Sequence, residues 1–223
     1  MCCRYHRTSN PDDITLPFKV SEDAGKAKNG YNIAPGNNIL AIAFDKITGG
    51  FVWITPRWGF KAGTGKGIIL PNARAETVNT KQSFKAAFCS KRCAIIADGF
   101  YEWNKSKTPF YFTLKSKHPF TMAGLYREDT GSLSCVIITV SPNTLMEKIH
   151  NRMPSLIRSD DITKWLSPDT ENHSDLLALL KPYRTEDMNC VEMSKYVNSV
   201  KNEGEKCIMP VKPRQEDFLF NSD

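Results

Sequence analysis

Short apolar runs separated by polar and glycine-containing turns dominate this chain, and longer periodic segments are few. Ile39–Phe44 follows the Pro35-Gly36 turn and reads as a buried strand. Thr48-Gly49-Gly50 predicts a tight hairpin, with Phe51–Thr55 as the returning strand. Ile68–Leu70 and Cys93–Ala97 are further short apolar runs, the second suited to a central strand. Phe110–Leu114, Phe120–Tyr126 and Ser134–Val140 predict three more strands, joined by Lys, Gly and Asp turns. Helical spacing shows over 79–88, where Phe84 and Phe88 share a face. Ser141-Pro142-Asn143 starts a predicted helix through Thr144–Ile149, with Pro142 at an early, tolerated position. Asp160–Leu166 and His173–Leu180 read as peripheral helices, and Lys206–Val211 as a final strand. Residues 9–30 lack periodicity and read as a loop carrying at most one short strand. Lys61–Gly67, rich in Gly and Lys, reads either as a mobile lip around a site or as a plain loop. Mixed strands and helices of this kind predict an α+β fold. No repeat or linker splits the chain, so one domain is expected over 1–211, followed by a polar tail, 212–223.

Composition narrows the class. The chain has 223 residues, 40% apolar and 24% charged, enough to bury a sizeable core. No apolar run approaches the roughly 20 residues of a membrane-spanning helix. The opening MCCRYHRTSNPDD lacks the apolar stretch of a secretory signal, so the protein is expected to stay in the cytoplasm. Seven scattered cysteines, an odd number, suit a reducing compartment better than a disulfide framework. Cys89 and Cys93 have metal-pair spacing, but His118, His150 and His173 are too dispersed to complete a site, and no metal or organic cofactor is expected. The formal net charge of +6 leans towards an anionic partner. The lysine-rich runs equally suit a solvated face.

The chemistry concentrates at the start of the chain. A cysteine after the initiator methionine carries, once Met1 is removed, a free α-amine and a thiol on adjacent carbons. That pair can capture an aldehyde as a Schiff base and close on it as a five-membered thiazolidine. The amine titrates at roughly 7.7–8.0 and the thiol at about 8.5, so modest perturbation makes both nucleophilic near neutral pH. The plain alternative for Cys2 is a small residue at a frayed end. Three further pieces place a polar group at the end of an apolar element: Asn72 in PNARAET, Glu102 in DGFYEW and His150 in HNRMP. An amide, a carboxylate and an imidazole suit Schiff-base work. Each also has a structural alternative: Asn72 as a turn residue, Glu102 as an exposed turn carboxylate, His150 as a helix-end cap.

In this setting the chain resembles the SRAP family, the SOS response-associated peptidase proteins that sense abasic sites in DNA. The resemblance rests on the Met-Cys start with Arg4, then YNIAPG at 31–36, PRWGF at 56–60 and PNARAET at 71–77. It continues with ADGFYEW at 97–103, HNRMP at 150–154 and VNSVKNEG at 197–204, in the family's order. It implies a strongly bent mixed sheet forming a barrel-like core with short peripheral helices. It also implies that Cys2, freed of Met1 by autocatalysis or an aminopeptidase, forms a thiazolidine with the ring-opened abasic sugar in single-stranded DNA. Asn72 would then position the amine and the opened sugar, Glu102 would move protons, and His150 would promote ring opening. Arg4, Arg74 and Arg152 would hold phosphates. Pro35, Trp58 and Trp103 would support unstacked bases, with core packing as the alternative for both tryptophans. Thr139 is placed with these DNA-contact residues. The implied partner is single-stranded DNA, together with proteins of the replication fork, for a monomer without a membrane. Two other functions fit the residues: a thiol peptidase acting in trans through Cys2 and His150, and a non-covalent single-strand reader. Cys3 stands where the family usually has glycine, and makes a vicinal thiol pair with Cys2.

Overall fold

The computed structural model describes residues 2–14, 16–20, 27–62, 68–129, 131–170 and 172–211. The tail 212–223 and most of the Gly- and Lys-rich stretch 61–67 lie outside them. Strands dominate. In chain order they begin with β1 (Tyr5–Arg7), β2 (Gly30–Ile33), β3 (Ala41–Asp45), β4 (Gly50–Ile54), β5 (Arg57–Trp58) and β6 (Phe60–Ala62). Then come β7 (Ile68–Leu70), β8 (Asn72–Arg74), β9 (Arg92–Ala97), β10 (Gly99–Trp103) and β11 (Pro109–Leu114). The last are β12 (Phe120–Asp129), β13 (Ser132–Val140), β14 (Met153–Pro154), β15 (Leu156–Ile157) and β16 (Met188–Glu192). The helices are α1 (Gln82–Ser90), α2 (Ile162–Leu166) and α3 (His173–Leu179).

Two sheets carry the site. The smaller runs β16–β11–β10–β1–β2, and the larger runs β14–β13–β12–β9–β3–β4, with β15 on β12 and with β5 and β8 joined to β13. The chain passes from the larger sheet to the smaller at Asp98, between β9 and β10. One buried cluster draws Tyr5, Ile33, Phe100 and Phe112 from the smaller sheet and Ala41, Ile95, Val136 and Ile138 from the larger. The fold is α+β. The expected barrel-like closure is not confirmed: among the described residues the first and last strands of each hydrogen-bonded path do not pair with each other, so neither sheet closes on itself.

Most predicted strands form within a residue or two of their expected ends. Two elements differ. Thr144–Ile149 is a run of turns rather than a helix. Asn143 there accepts from Met146 N through its side-chain oxygen (2.9 Å), the bond of a helix N-cap, but the segment stops at His150 after turns alone. Lys206–Val211 is not a strand. Gly204, at φ +89°, leads into a 3-10 turn over Glu205–Ile208, and Pro210 makes only an isolated bridge to Met193.

Strand β1 escaped the pattern because Tyr5-His6-Arg7 looks polar, yet all three are buried. His6 Nδ1 lies 2.6 Å from the Tyr111 hydroxyl and Nε2 lies 2.9 Å from Thr8 Oγ1, while its ring stacks on Tyr31. Gly99 makes room for this cluster, since a Cβ there would sit 2.4 Å from the Tyr111 ring. Burial lowers the His6 pKa below its usual value, against the pull of Asp98. The folded state therefore resists a proton that the unfolded chain accepts. Stability from this group is complete above about pH 6.5 and declines as the pH falls below that, by at most about 1.4 kcal/mol per pH unit. Denaturant midpoints measured between pH 7 and pH 5 should fall, and the slope should flatten in His6→Gln. An unchanged slope in that variant would refute the assignment.

Candidate functional site

Strand β1 brings the N-terminus to the site. It pairs antiparallel with β10, Tyr5 opposite Phe100, and Tyr101 N donates to Arg4 O at 3.0 Å. Continuing that register past Arg4 runs Cys3 and Cys2 towards Glu102 and Trp103. Strand β13 gathers the remaining pieces. Its Ile137 and Thr139 pair in parallel with Asn72 and Arg74 of β8, and Thr139 also pairs with Pro154 of β14. HNRMP, leading into β14, is thereby set beside PNAR.

The two halves meet through Asn72. Its Nδ2 donates to the Cys2 carbonyl at 2.8 Å and lies 3.7 Å from Cys3 Sγ. Its Oδ1 is buried without a hydrogen-bond partner among the described residues. Cys2 is fully buried, and Glu102 is 3% exposed. Burial pushes the Cys2 thiol well above its ordinary pKa, and the Glu102 carboxylate adds to the effect. Burial likewise raises Glu102, while charge on His150 pulls the other way. Glu102 thus lies within electrostatic reach of both Cys2 and His150. The imidazole is half-buried, with Nδ1 3.1 Å from Arg152 N and 3.2 Å from Arg152 O, which fixes the ring at the end of the turn.

The candidate nucleic-acid contacts divide. Arg152 makes a two-pronged ion pair with Glu76 (2.5 and 3.0 Å) and also donates to the Thr139 carbonyl. This fork holds Glu76 below the usual carboxylate range. Thr139 is fully buried and donates its hydroxyl to Ala73 O (3.2 Å), so it braces β8 rather than facing a ligand. Arg74 is exposed, and Pro35 half-exposed. Trp58 is wholly buried: its indole N–H donates to Pro71 O (2.9 Å) and its ring meets the edge of Tyr5. It packs in the core and offers no face to a base. Gly59 beside it adopts φ +118°, and a Cβ there would strike Ile69, which accounts for glycine in PRWGF.

Arg4 also points inward. Its Nη1 donates to Asn32 Oδ1 (2.6 Å) and Val197 O (2.9 Å), and its guanidinium lies 5.5 Å from the centre of the Trp103 ring. Asn32 in turn donates to the carbonyls of Ser199 and Asn202. YNIAPG and VNSVKNEG are therefore two sides of one bracket with Arg4 between them. Trp103 keeps one side half-exposed, with its N–H on Asn198 Oδ1 (2.7 Å). Sequence inspection missed the roles of Asn32 and Glu203. Glu203 accepts from Tyr31 N (2.5 Å) and pairs with Lys28 (3.3 Å). Such long-range anchors leave no signal in spacing.

The family model for SOS response associated peptidase (SRAP) matches residues 1–200. The chain belongs to the SRAP family. Among its relatives is "Abasic site processing protein YoqW" of Bacillus subtilis, 39% identical over 93% of this chain and 99% of that one. "Abasic site processing protein YoaM" of the same organism is also 39% identical, over 91% and 95%. A crystal structure of a Bacteroides thetaiotaomicron protein superposes with a TM-score of 0.72 at 25% identity, covering 84% of this chain and 88% of that one. In SRAP terms, the matched region takes in every piece of the site described above, from Cys2 to Arg152. No helix among the described residues is long and apolar enough to cross a membrane.

Proposed function

We propose that this chain processes abasic sites in single-stranded DNA by capturing the lesion covalently on Cys2. The observation that carries the reading is the convergence of Cys2, Asn72, Glu102 and His150 from four separated stretches of chain. Loss of Met1 consumes one water and frees the Cys2 amine. His150 assists opening of the sugar, exposing the C1′ aldehyde. The amine adds to that carbon and expels its oxygen as water, giving a Schiff base. The Cys2 thiol then passes its proton to a base while sulfur bonds to the imine carbon, and the nitrogen takes up a proton. Glu102, its pKa raised by burial, suits both proton transfers. Asn72 Nδ2 fixes the Cys2 carbonyl, which leaves Oδ1 to accept from the amine or a sugar hydroxyl.

The relatives named abasic site processing proteins support this substrate. The peptidase activity of the family name fits the same residues acting once, on the chain's own Met1. Arg74, with Pro35 and Trp103, is the part of the expected DNA surface left open, while Arg4, Thr139 and Trp58 act beneath it. Such a protein would work in the cytoplasm, as a monomer, wherever replication exposes single strands. The test is to incubate Met1-free protein with an oligonucleotide bearing one abasic site and to run a denaturing gel. A heat-stable shifted band is expected; its absence with a confirmed free Cys2 amine would reject the reading.

A further inference from the structure

The Glu76–Arg152 ion pair lies outside the four reacting groups, yet it joins two of the stretches that carry them. Glu76 stands on the 3-10 turn Ala75–Thr77, just beyond the end of β8, and Arg152 lies between His150 and β14. Exposed ion pairs are usually worth little. This one differs in two ways. Both carboxylate oxygens are used, Oε1 by Nη1 at 2.5 Å and Oε2 by Nη2 at 3.0 Å, which fixes the guanidinium in its plane as well as in distance. The Arg152 side chain is also only 12% exposed, against 51% for Glu76, so the carboxylate is the counter-ion of a largely buried cation. Among the described residues no other carboxylate forms an ion pair with Arg152. Nη2 donates further to the Thr139 carbonyl on β13. The fork thereby locks three pieces of chain together: the turn after β8, strand β13 and the turn before β14.

Arg152 also holds the imidazole, through its main chain. Its N–H donates to His150 Nδ1 at 3.1 Å, and its carbonyl lies 3.2 Å from the same atom. One residue therefore meets Nδ1 in either protonation state: the N–H serves a bare nitrogen and the carbonyl a protonated one. With Nδ1 so engaged, Nε2 is the nitrogen that serves the sugar. We infer that Glu76 is a positioning residue for the reaction: by clamping the Arg152 side chain it fixes the Arg152 main chain, and through it the angle at which His150 meets the ring oxygen of the abasic sugar. The inference rests on the abasic-site reading and deepens it. Without the carboxylate the guanidinium loses its counter-ion and swings towards solvent or a DNA phosphate, and the HNRMP turn loosens. Binding and chemistry then part. Removal of a negative charge favours DNA, while misplacement of the imidazole slows ring opening.

The experiment compares full-length, Met1-free wild type, Glu76→Ala, His150→Ala and the double variant at saturating DNA. Two substrates are used: an oligonucleotide with an ordinary abasic site, and one whose open-chain aldehyde lacks the hydroxyl needed to close a ring. On the ordinary site, His150→Ala should slow adduct formation about 100-fold and Glu76→Ala about tenfold. Adding Glu76→Ala to His150→Ala should cost nothing more, because both act through one imidazole. On the open-chain aldehyde Glu76→Ala should react at the wild-type rate, which also shows that the variant is folded. Its affinity for lesion-free single-stranded DNA should match or exceed that of wild type. A wild-type rate for Glu76→Ala on the ordinary site would overturn the inference, as would an equal loss on both substrates or a further loss in the double variant. Failure of the underlying reading looks different: wild type would then give no adduct with either substrate.

Discussion

Cys2→Ser should lose the heat-stable DNA adduct almost completely, with yield falling at least about 100-fold, equivalent to about 2.7 kcal/mol or more. Serine keeps the free amine and an oxygen nucleophile in the same place, so the loss isolates sulfur. A thiol titrates at about 8.5 and reaches its thiolate with modest help, whereas a hydroxyl does not. The oxygen analogue of the ring also opens readily in water. Cys2→Ala sharpens the prediction. It retains the amine and should still form the Schiff base, so borohydride should trap an adduct that heating alone does not preserve. With the sulfur gone, the imine can drain by β-elimination, and strand cleavage should rise above the wild-type level. Undiminished heat-stable adduct in Cys2→Ser would place the covalent bond elsewhere. Burial of the thiol and its raised pKa imply that deprotonation needs a partner. Glu102→Gln should therefore slow adduct formation while Cys2 stays intact.

The second large effect is on stability. Arg92 is 3% exposed and caps two helices at once. Its guanidinium donates to Phe88 O, Cys89 O and Trp165 O, each at 2.7 Å, and to Ser167 O. These are carbonyls at the ends of α1 and α2, where helices leave acceptors without internal partners. Arg92→Met keeps much of the stem's packing but strips all four acceptors of their donor. Charge-assisted bonds are worth about 1.5–3 kcal/mol singly but are not additive, so a loss of about 3–4 kcal/mol is expected. That is a large share of a typical stability of about 5–15 kcal/mol, and corresponds to a melting temperature lower by about 6–16 °C. Arg92→Lys should recover only part, because one ammonium cannot span both helix ends. A loss under about 1 kcal/mol for Arg92→Met would contradict the capping role.

Strands announced themselves where the apolar run was long, as in Cys93–Ala97 and Ser134–Val140, because burial on both faces needs continuous apolar residues. Polar strands did not. Tyr5-His6-Arg7 is stabilised by bonds to Tyr111, Thr8 and Lys28 O, partners up to 105 residues away. The candidate site was legible as chemistry at element ends, but not as geometry. Nothing in the spacing of Asn72 predicts its bond to the Cys2 carbonyl, which depends on β8 running parallel to β13. The tryptophans illustrate the limit well: Trp58 and Trp103 have similar aromatic settings in sequence, yet one is wholly buried and the other half-exposed. Arg4 looked like a phosphate fork and instead ties Asn32 to Val197. An arginine's long stem can reach inward or outward, and only the fold decides.

The most direct measurement is the intact mass of the adduct formed with an oligonucleotide carrying one abasic site, taken without reductant. The account predicts the mass of the chain lacking Met1, plus the DNA, minus one water, unchanged by borohydride because the ring contains no imine to reduce. An adduct that retains Met1, or that survives only after borohydride treatment, would contradict capture by the Cys2 amine and thiol together.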